Sequence, residues 1–154
     1  MRSPDELSAL FRASGRKVTP QRQCIFRVLH GNVTHPTAEA VYEAVSAEMP
    51  TISLKTVYQT LHDLADLGEV ALLDVGTGAT RVDPNIHEGH HHLVCERCGK
   101  VRDLTLEFAG LEVPADARQG FAVRRAEIVF RGRCSECADE DRFPPITHQH
   151  GRGA

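Results

Sequence analysis

The sequence predicts an α+β protein in two parts, a helical N-terminal part and a strand-built part that carries a cysteine framework. Three observations lead there. Apolar residues recur at helical spacing as far as Gly68. After Gly68 the period shortens to the alternation of strands. Two Cys-x-x-Cys pairs, Cys95/Cys98 and Cys134/Cys137, then follow with 35 residues between them.

The elements can be justified in chain order. A first helix is expected over 4–14, with Leu7, Leu10 and Phe11 on one face and Gly15 as its stop. Thr19-Pro20 is an N-cap followed by proline at the first helical position; the helix it opens carries Ile25, Phe26, Val28 and Leu29 and ends near Gly31. Thr37 caps a third helix with Ala38, Val41, Tyr42 and Val45 inward. Ser53 caps a fourth, stopped by Gly68, with Val57, Leu61, Leu64 and Ala65 buried. Lys55, Thr56, Tyr58, Gln59 and His62 remain on its outer faces. Strands are expected over 69–75 and 79–83, joined at Gly76-Thr77-Gly78. Helices followed by a hairpin make a winged helix-turn-helix, whose last helix enters a DNA groove. The same pattern suits a helical protein-interaction domain with solvated polar faces, and the pattern alone does not decide between them.

Pro84-Asn85 reads as a domain boundary. Beyond it, 91–95 is a strand running into a turn at the first cysteine pair, 100–104 a second strand, and 121–130 a third. Alternation puts His90 and His92 on one face of the first strand and His91 on the other, so His90 and His92 can share a metal.

Composition narrows the functional classes. Hydrophobic residues make up 41% of 154, enough for a core, while aromatics at 5% and the absence of Trp point to aliphatic packing. The net charge is −3, and residues 1–83 hold 8 Lys+Arg against 10 Asp+Glu. Bulk charge therefore gives no attraction for nucleic acid; any such contact must come from a local cluster such as Arg12, Arg16, Lys17 and Arg22, or from Lys55. The N-terminus shows no apolar signal segment and no run approaches membrane-spanning length, so the chain reads as cytoplasmic, with no membrane association. In that compartment thiols stay reduced, which argues against two disulfides, and a redox function explains only one Cys-x-x-Cys pair. Cys95, Cys98, Cys134 and Cys137 are thus read as a tetrahedral sulfur cage for structural Zn(II). Cys24, in an apolar helical pattern, is read as a small buried hydrophobe.

Imidazoles crowd the run before the first pair, Asn85-Ile86-His87-Glu88-Gly89-His90-His91-His92. They are harder ligands than thiolate and suit a different, exchangeable ion. His87-Glu88-Gly89-His90-His91 also fits the H-E-x-x-H pattern of zinc proteases. That chemistry requires a helix to put both histidines on one face. Here Pro84 and Gly89 flank or interrupt the run and a strand follows, so a zinc metalloenzyme is the remote alternative, and the chain is not read as an enzyme.

Five stretches together resemble the ferric uptake regulator (Fur) family of bacterial metal-dependent repressors, most closely its peroxide-sensing branch. They are Val18-Thr19-Pro20-Gln21-Arg22, His35-Pro36-Thr37-Ala38-Glu39, Ser53-Leu54-Lys55-Thr56-Val57-Tyr58, the run His90 through Lys100, and Cys134-Ser135-Glu136-Cys137. The resemblance covers about 5–138. It implies an α+β fold in which a winged helix-turn-helix DNA-binding domain (1–83) precedes a small α/β dimerisation and metal-sensing domain with the four-cysteine zinc site (84–138), then a flexible tail (139–154). It implies a homodimer on an AT-rich inverted repeat of double-stranded DNA. Arg16, Lys17 and Arg22 would serve the phosphates, and Lys55, Thr56, Tyr58 and Gln59 the groove. It also implies a regulatory site of His35, Asp83, His90, His92 and Asp103 for Fe(II) or Mn(II), in which peroxide converts His35 or His90 to 2-oxo-histidine. The alternative within the family is a regulator of iron, manganese or zinc availability without oxidation. A further metal site of some relatives maps to Gly89, His91, Gly110 and Ala126, so that site is expected to be missing here.

Overall fold

The computed structural model describes residues 1–76, 78–86, 90–107, 112–123, 126 and 128–138. Four helices come first: α1 (Pro4–Ala13), α2 (Pro20–Leu29), α3 (Ala38–Glu48) and α4 (Leu54–Asp66). Each begins where a hydroxyl side chain takes up an otherwise orphaned amide, Ser3 for α1, Thr19 for α2, Thr37 for α3 and Ser53 for α4. Ser3 and Glu6 complete a reciprocal capping box on α1. Gly68 leaves α4 with a φ of 70°, a left-handed turn open to glycine without strain.

The helices close around Leu7, Phe11, Ile25, Phe26, Leu29, Val41, Val45, Val57, Leu61 and Leu64, all buried. Phe11 and Phe26 meet edge to face at 4.9 Å. Each such side chain contributes about 1.5–3 kcal/mol by leaving water, so the bundle holds α4 in place without help from its outer face.

β1 (Ala71–Leu73) and β2 (Arg81–Asp83) form the antiparallel hairpin, in register Ala71↔Asp83. Both strands are shorter than the alternation suggests, and Thr77 of the expected turn lies outside the described residues. A second sheet has the order β4-β3-β5, from β3 (His90–Cys95), β4 (Val101–Thr105) and β5 (Val129–Gly132). β4 runs antiparallel to β3, placing His92 opposite Asp103. β5 runs parallel, from His92↔Val129 to Cys95↔Gly132.

The strand expected over 121–130 is corrected. Among the described residues only its last part pairs, while Phe121 and Val123 are exposed with no neighbouring strand; 124, 125 and 127 lie outside the description, as does the tail from 139. The hairpin and the second sheet share a small core of Leu73, Val75, Val94 and Val101. That packing carries the end of β2 to the start of β3, where the histidines lie.

Candidate metal centres

Cys95 ends β3, Cys98 closes the turn after it, and Cys134 and Cys137 form a second turn just beyond β5. Paired parallel strands therefore deliver the two Cys-x-x-Cys turns side by side. One sulfur from each of the four lies within 4.8 Å of the others, and Cys98 Sγ is 3.7 Å from Cys134 Sγ. Sulfurs bonded at about 2.3 Å to a tetrahedral zinc stand about 3.8 Å apart, whereas a disulfide needs about 2.05 Å. The thiols are unbridged. The Cys134 amide donates to Cys95 Sγ at 3.4 Å, and this with the neighbouring turn amides draws the Cys95 thiol down to about 6. Cys137 is pushed up to about 12 by burial and by the sulfurs around it. The Cys95 thiolate forms readily while Cys137 resists becoming a second negative charge beside it, a conflict that a divalent cation removes. Cys24 lies apart, buried in the helical core, with its thiol directed to Glu48 at 3.5 Å.

The second constellation is built from both parts of the chain. His35 sits between α2 and α3 with a φ of 51°, unusual for a residue with a side chain and costing about 1–3 kcal/mol. Neighbouring contacts hold it there. Arg81 Nη1 donates to the His35 carbonyl at 3.1 Å, and the Val82 amide donates to the Pro36 carbonyl at 2.9 Å. His35 and Asp83 therefore belong to one rigid unit, with β2 as its spine. His90, His92 and Asp103 come from β3 and β4.

Across the junction, His35 Nε2 lies 2.7 Å from Asp103 Oδ1 and 3.4 Å from Asp83 Oδ1. His90 Nε2 lies 2.9 Å from Asp83 Oδ2, and His92 Nε2 lies 3.6 Å from Asp83 Oδ2 and 3.9 Å from Asp103 Oδ1. The donors fall into two overlapping triads, His35/His92/Asp103 and Asp83/His90/His92. All five expected residues are thus brought together, with His92 common to both groups.

His35 Nε2 and Asp103 Oδ1 are buried and touch, yet neither is aligned for a hydrogen bond. With His92 they form one group of three ligand atoms within 4.8 Å of one another, as ligands of one cation do. Burial would raise the Asp83 carboxyl, but the facing imidazoles of His35 and His92, the Asn85 amide and His90 outweigh it and hold it far below the usual carboxylate range. Three imidazoles and two carboxylates fit Fe(II), Mn(II) or Zn(II) and do not fit Cu(I).

Asn85 was not anticipated. Its amide donates to Asp83 Oδ1 at 2.8 Å and its Nδ2 to Asp103 Oδ2 at 2.7 Å, so it fixes the second oxygen of each acid. The turn-forming Asp83-Pro84-Asn85 was the available signal. His91 points to the opposite face, where its Nδ1 accepts from the Ile128 amide at 3.2 Å. His90 and His91 are successive strand residues, so the helical protease geometry is not formed there; His87, Glu88 and Gly89 lie outside the described residues.

On α4, Lys55, Tyr58 and Gln59 are exposed and Thr56 is half-buried. Tyr58 donates to Glu39 Oε1 of α3 at 2.7 Å, which lowers the Glu39 carboxyl and raises the phenol. The basic residues divide. Lys17 and Lys55 are exposed and make no ion pair among the described residues. Arg22 is committed to Asp63 at 2.6 Å and to the Lys17 carbonyl at 3.0 Å, and its cation lies over Phe11. Arg16 reaches Asp63 at 3.4 Å and Asp66 at 3.5 Å. Asp63, which the sequence pattern did not single out, is the hub that ties α2 and the segment before it to α4.

No described helix is long and apolar enough to cross a membrane. The profile of the ferric uptake regulator family matches residues 13–130. The chain is 38% identical over 137 residues to a peroxide-responsive repressor, PerR, of Staphylococcus aureus, covering 88% of this chain and 92% of that protein. Among solved structures it is similar to the peroxide stress regulator of Campylobacter jejuni, with a TM-score of 0.59 and 28% identity over 89% of this chain and 100% of that one. A zinc-bound manganese uptake regulator is likewise similar, with a TM-score of 0.64 and 27% identity over 86% and 99%.

Proposed function

The chain belongs to the ferric uptake regulator family, and from that premise we propose that it is a homodimeric, metal-dependent transcriptional repressor whose grip on DNA is released by peroxide. The observation that carries the reading is the junction between His35 and Asp83 on one side and His90, His92 and Asp103 on the other. Zn(II) in the four-cysteine cage is structural. The nitrogen and oxygen set takes Fe(II) or Mn(II).

The residues explain how binding becomes a signal. His35 and Asp83 move with the helical unit, through the bonds of β2 to 35–37. His90, His92 and Asp103 move with the second sheet. All five converge in one relative orientation only, so occupancy selects that orientation. In a two-fold dimer that orientation sets the spacing of the two α4 helices, and an inverted repeat has the matching symmetry. Lys55, Thr56, Tyr58 and Gln59 meet the bases of an AT-rich site; Lys17 and Arg16 meet phosphates, and Arg22 holds α4 through Asp63. Leu93 and Phe121 are exposed apolar residues, which supports sheet-to-sheet pairing of two copies. The domain limits proposed are 1–83 and 84–138, with a cytoplasmic location.

Fe(II) held by these residues would activate hydrogen peroxide beside the ligand imidazoles, with the oxidised imidazole itself giving up the two electrons overall. In the net change one peroxide oxygen ends on the imidazole C2 of His35 or His90, giving 2-oxo-histidine, and the other leaves as water. The altered ring no longer serves as the same ligand, and the clamp opens. Similarity to a manganese uptake regulator supports a second reading, a metal-availability regulator without oxidation. One assay separates them. Fe-loaded and Mn-loaded protein are bound to an AT-rich palindromic promoter fragment with and without peroxide, and the His35 and His90 peptides are weighed afterwards. Release of the Fe form only, with a gain of one oxygen on either peptide, is expected. Indifference of both forms to peroxide would leave the second reading.

A further inference from the structure

We propose that the cleft between the wing hairpin and the first zinc turn is a binding site for a small multivalent oxyanion. The cleft measures about 460 Å³ and is lined by Gly76, Arg81, Val94, Glu96, Arg97 and Arg131, among others. Three guanidinium groups thus face a single carboxylate in a chain whose net charge is −3.

Several arginines of this chain pair with acids, as Arg16, Arg22 and Arg27 do. Arg81 and Arg131 do not: among the described residues neither has a carboxylate partner. Each instead donates one Nη1 to a backbone carbonyl, Arg81 to His35 at 3.1 Å and Arg131 to Val75 at 2.6 Å. Those bonds fix the side chains and leave most of their N–H donors for another acceptor. Arg81 Nε is buried with no hydrogen-bond partner. Arg131 lies against Gly76, where an added Cβ would approach Nη2 to 3.4 Å, so its guanidinium is seated on the wing backbone. Planar forks presented from several directions match the oxygens of a sulfate, phosphate or carboxylate dianion.

The three arginines come from different elements. Arg81 is on β2, Arg131 on β5, and Arg97 in the zinc turn. An anion held by all three would tie the hairpin to the second sheet. Arg81 also carries the His35 carbonyl, so the anion and the regulatory cation would favour the same closed arrangement and strengthen each other's binding. This coupling rests on the clamp reading above; the anion site itself does not.

Sulfate is a suitable probe because it is a dianion that chelates Mn(II) weakly. Zinc-loaded full-length protein is titrated with sulfate against chloride at constant ionic strength, following the arginine Nε–Hε resonances by NMR. Saturable shifts of the Arg81 and Arg131 signals are expected, with binding about tenfold weaker in Arg131→Gln and in Arg97→Gln, the loss of one charge-assisted contact. Zinc content and the thermal midpoint of each variant establish that it is folded, and exposed Arg97 serves if Arg131→Gln is not. Absence of saturation, binding in both variants as tight as in the wild type, or shifts caused only by operator DNA overturn the site. In the second arm, sulfate should tighten Mn(II) about fivefold in the wild type and not in Arg97→Gln. Unchanged Mn(II) affinity with sulfate bound overturns the coupling alone, and failure of Mn(II) to require His35 points to the clamp instead.

Discussion

Replacing His35 with alanine tests the clamp most directly. His35 is the ligand contributed from outside the hairpin and the second sheet, and its Nε2 is 1 of 2 buried atoms, with Asp103 Oδ1, that touch without a hydrogen bond. Each unsatisfied atom of this kind costs about 1–3 kcal/mol, which a cation recovers on binding. Groups that merely support a ligand already change metal affinity by about 10–100-fold when lost. His35→Ala should therefore weaken Mn(II) by at least that factor, about 1.4–2.7 kcal/mol. Metal-free stability should respond less. A cavity opens and alanine keeps the strained positive φ, but two orphaned nitrogens disappear, and the net loss is about 2 kcal/mol or less. Free Mn(II) followed by paramagnetic resonance gives the affinity, and operator binding with and without Mn(II) gives the coupling. If His35→Ala binds Mn(II) as the wild type does and still needs Mn(II) to hold DNA, the two halves are not joined through this residue.

Other outcomes follow from the same geometry. Asp63→Asn removes the charge facing Arg22 and Arg16 and should lower stability by about 1–3 kcal/mol in denaturant titrations, with weaker DNA binding at every sequence. The Asp83 carboxyl is depressed in the folded state, so the stability it contributes is present at neutral pH and is lost as pH falls below about 4. Asp83→Asn should flatten that acid limb of a pH-dependent unfolding curve in the metal-free protein. Tyr58→Ala should cost about 1–3 kcal/mol at the operator, measured by titration, and little on random DNA, because a base contact discriminates where a phosphate contact does not. Stripping zinc with a chelator under reducing conditions should abolish Mn(II) binding, whereas removing Mn(II) should leave zinc in place; metal analysis by mass spectrometry reads both.

Much of this architecture was legible because it depends on local chemistry. Thr19, Thr37 and Ser53 announce helix starts by the hydrogen bonds their side chains make, whereas the capping box at Ser3 was not read from the sequence. The two-residue period of a strand separates His91 from His90 and His92 before any fold is known. Burial and pairing between distant residues were less accessible. His35 as a single residue reads as a solvent-facing loop histidine, yet it is 1% exposed, because Arg81 and Val82 draw its segment onto β2. Arg22 looks like any basic residue near a DNA-facing helix until Asp63, 41 positions later, is seen against it. The apolar residues at both ends of 121–130 suggest a strand, but a strand needs a neighbour, and β3 offers one only from Val129 onward.

One strand explains why two such different metal sites sit in one small protein. β3 begins with the histidines of the proposed sensing site and ends at a cysteine of the four-sulfur cluster, a run of about 17 Å at about 3.3 Å per step. Parallel pairing with β5 leads straight to Cys134. Sulfur ligands hold zinc and leave the harder ions to nitrogen and oxygen, so neither site draws the other's metal. The zinc cage pins the far ends of β3 and β5, and through the ladder it fixes where His90 and His92 point. A sensing clamp needs one jaw that does not move. Fastening that jaw with an ion that has no redox chemistry lets the other ion be exchanged or oxidised without loss of the reference frame.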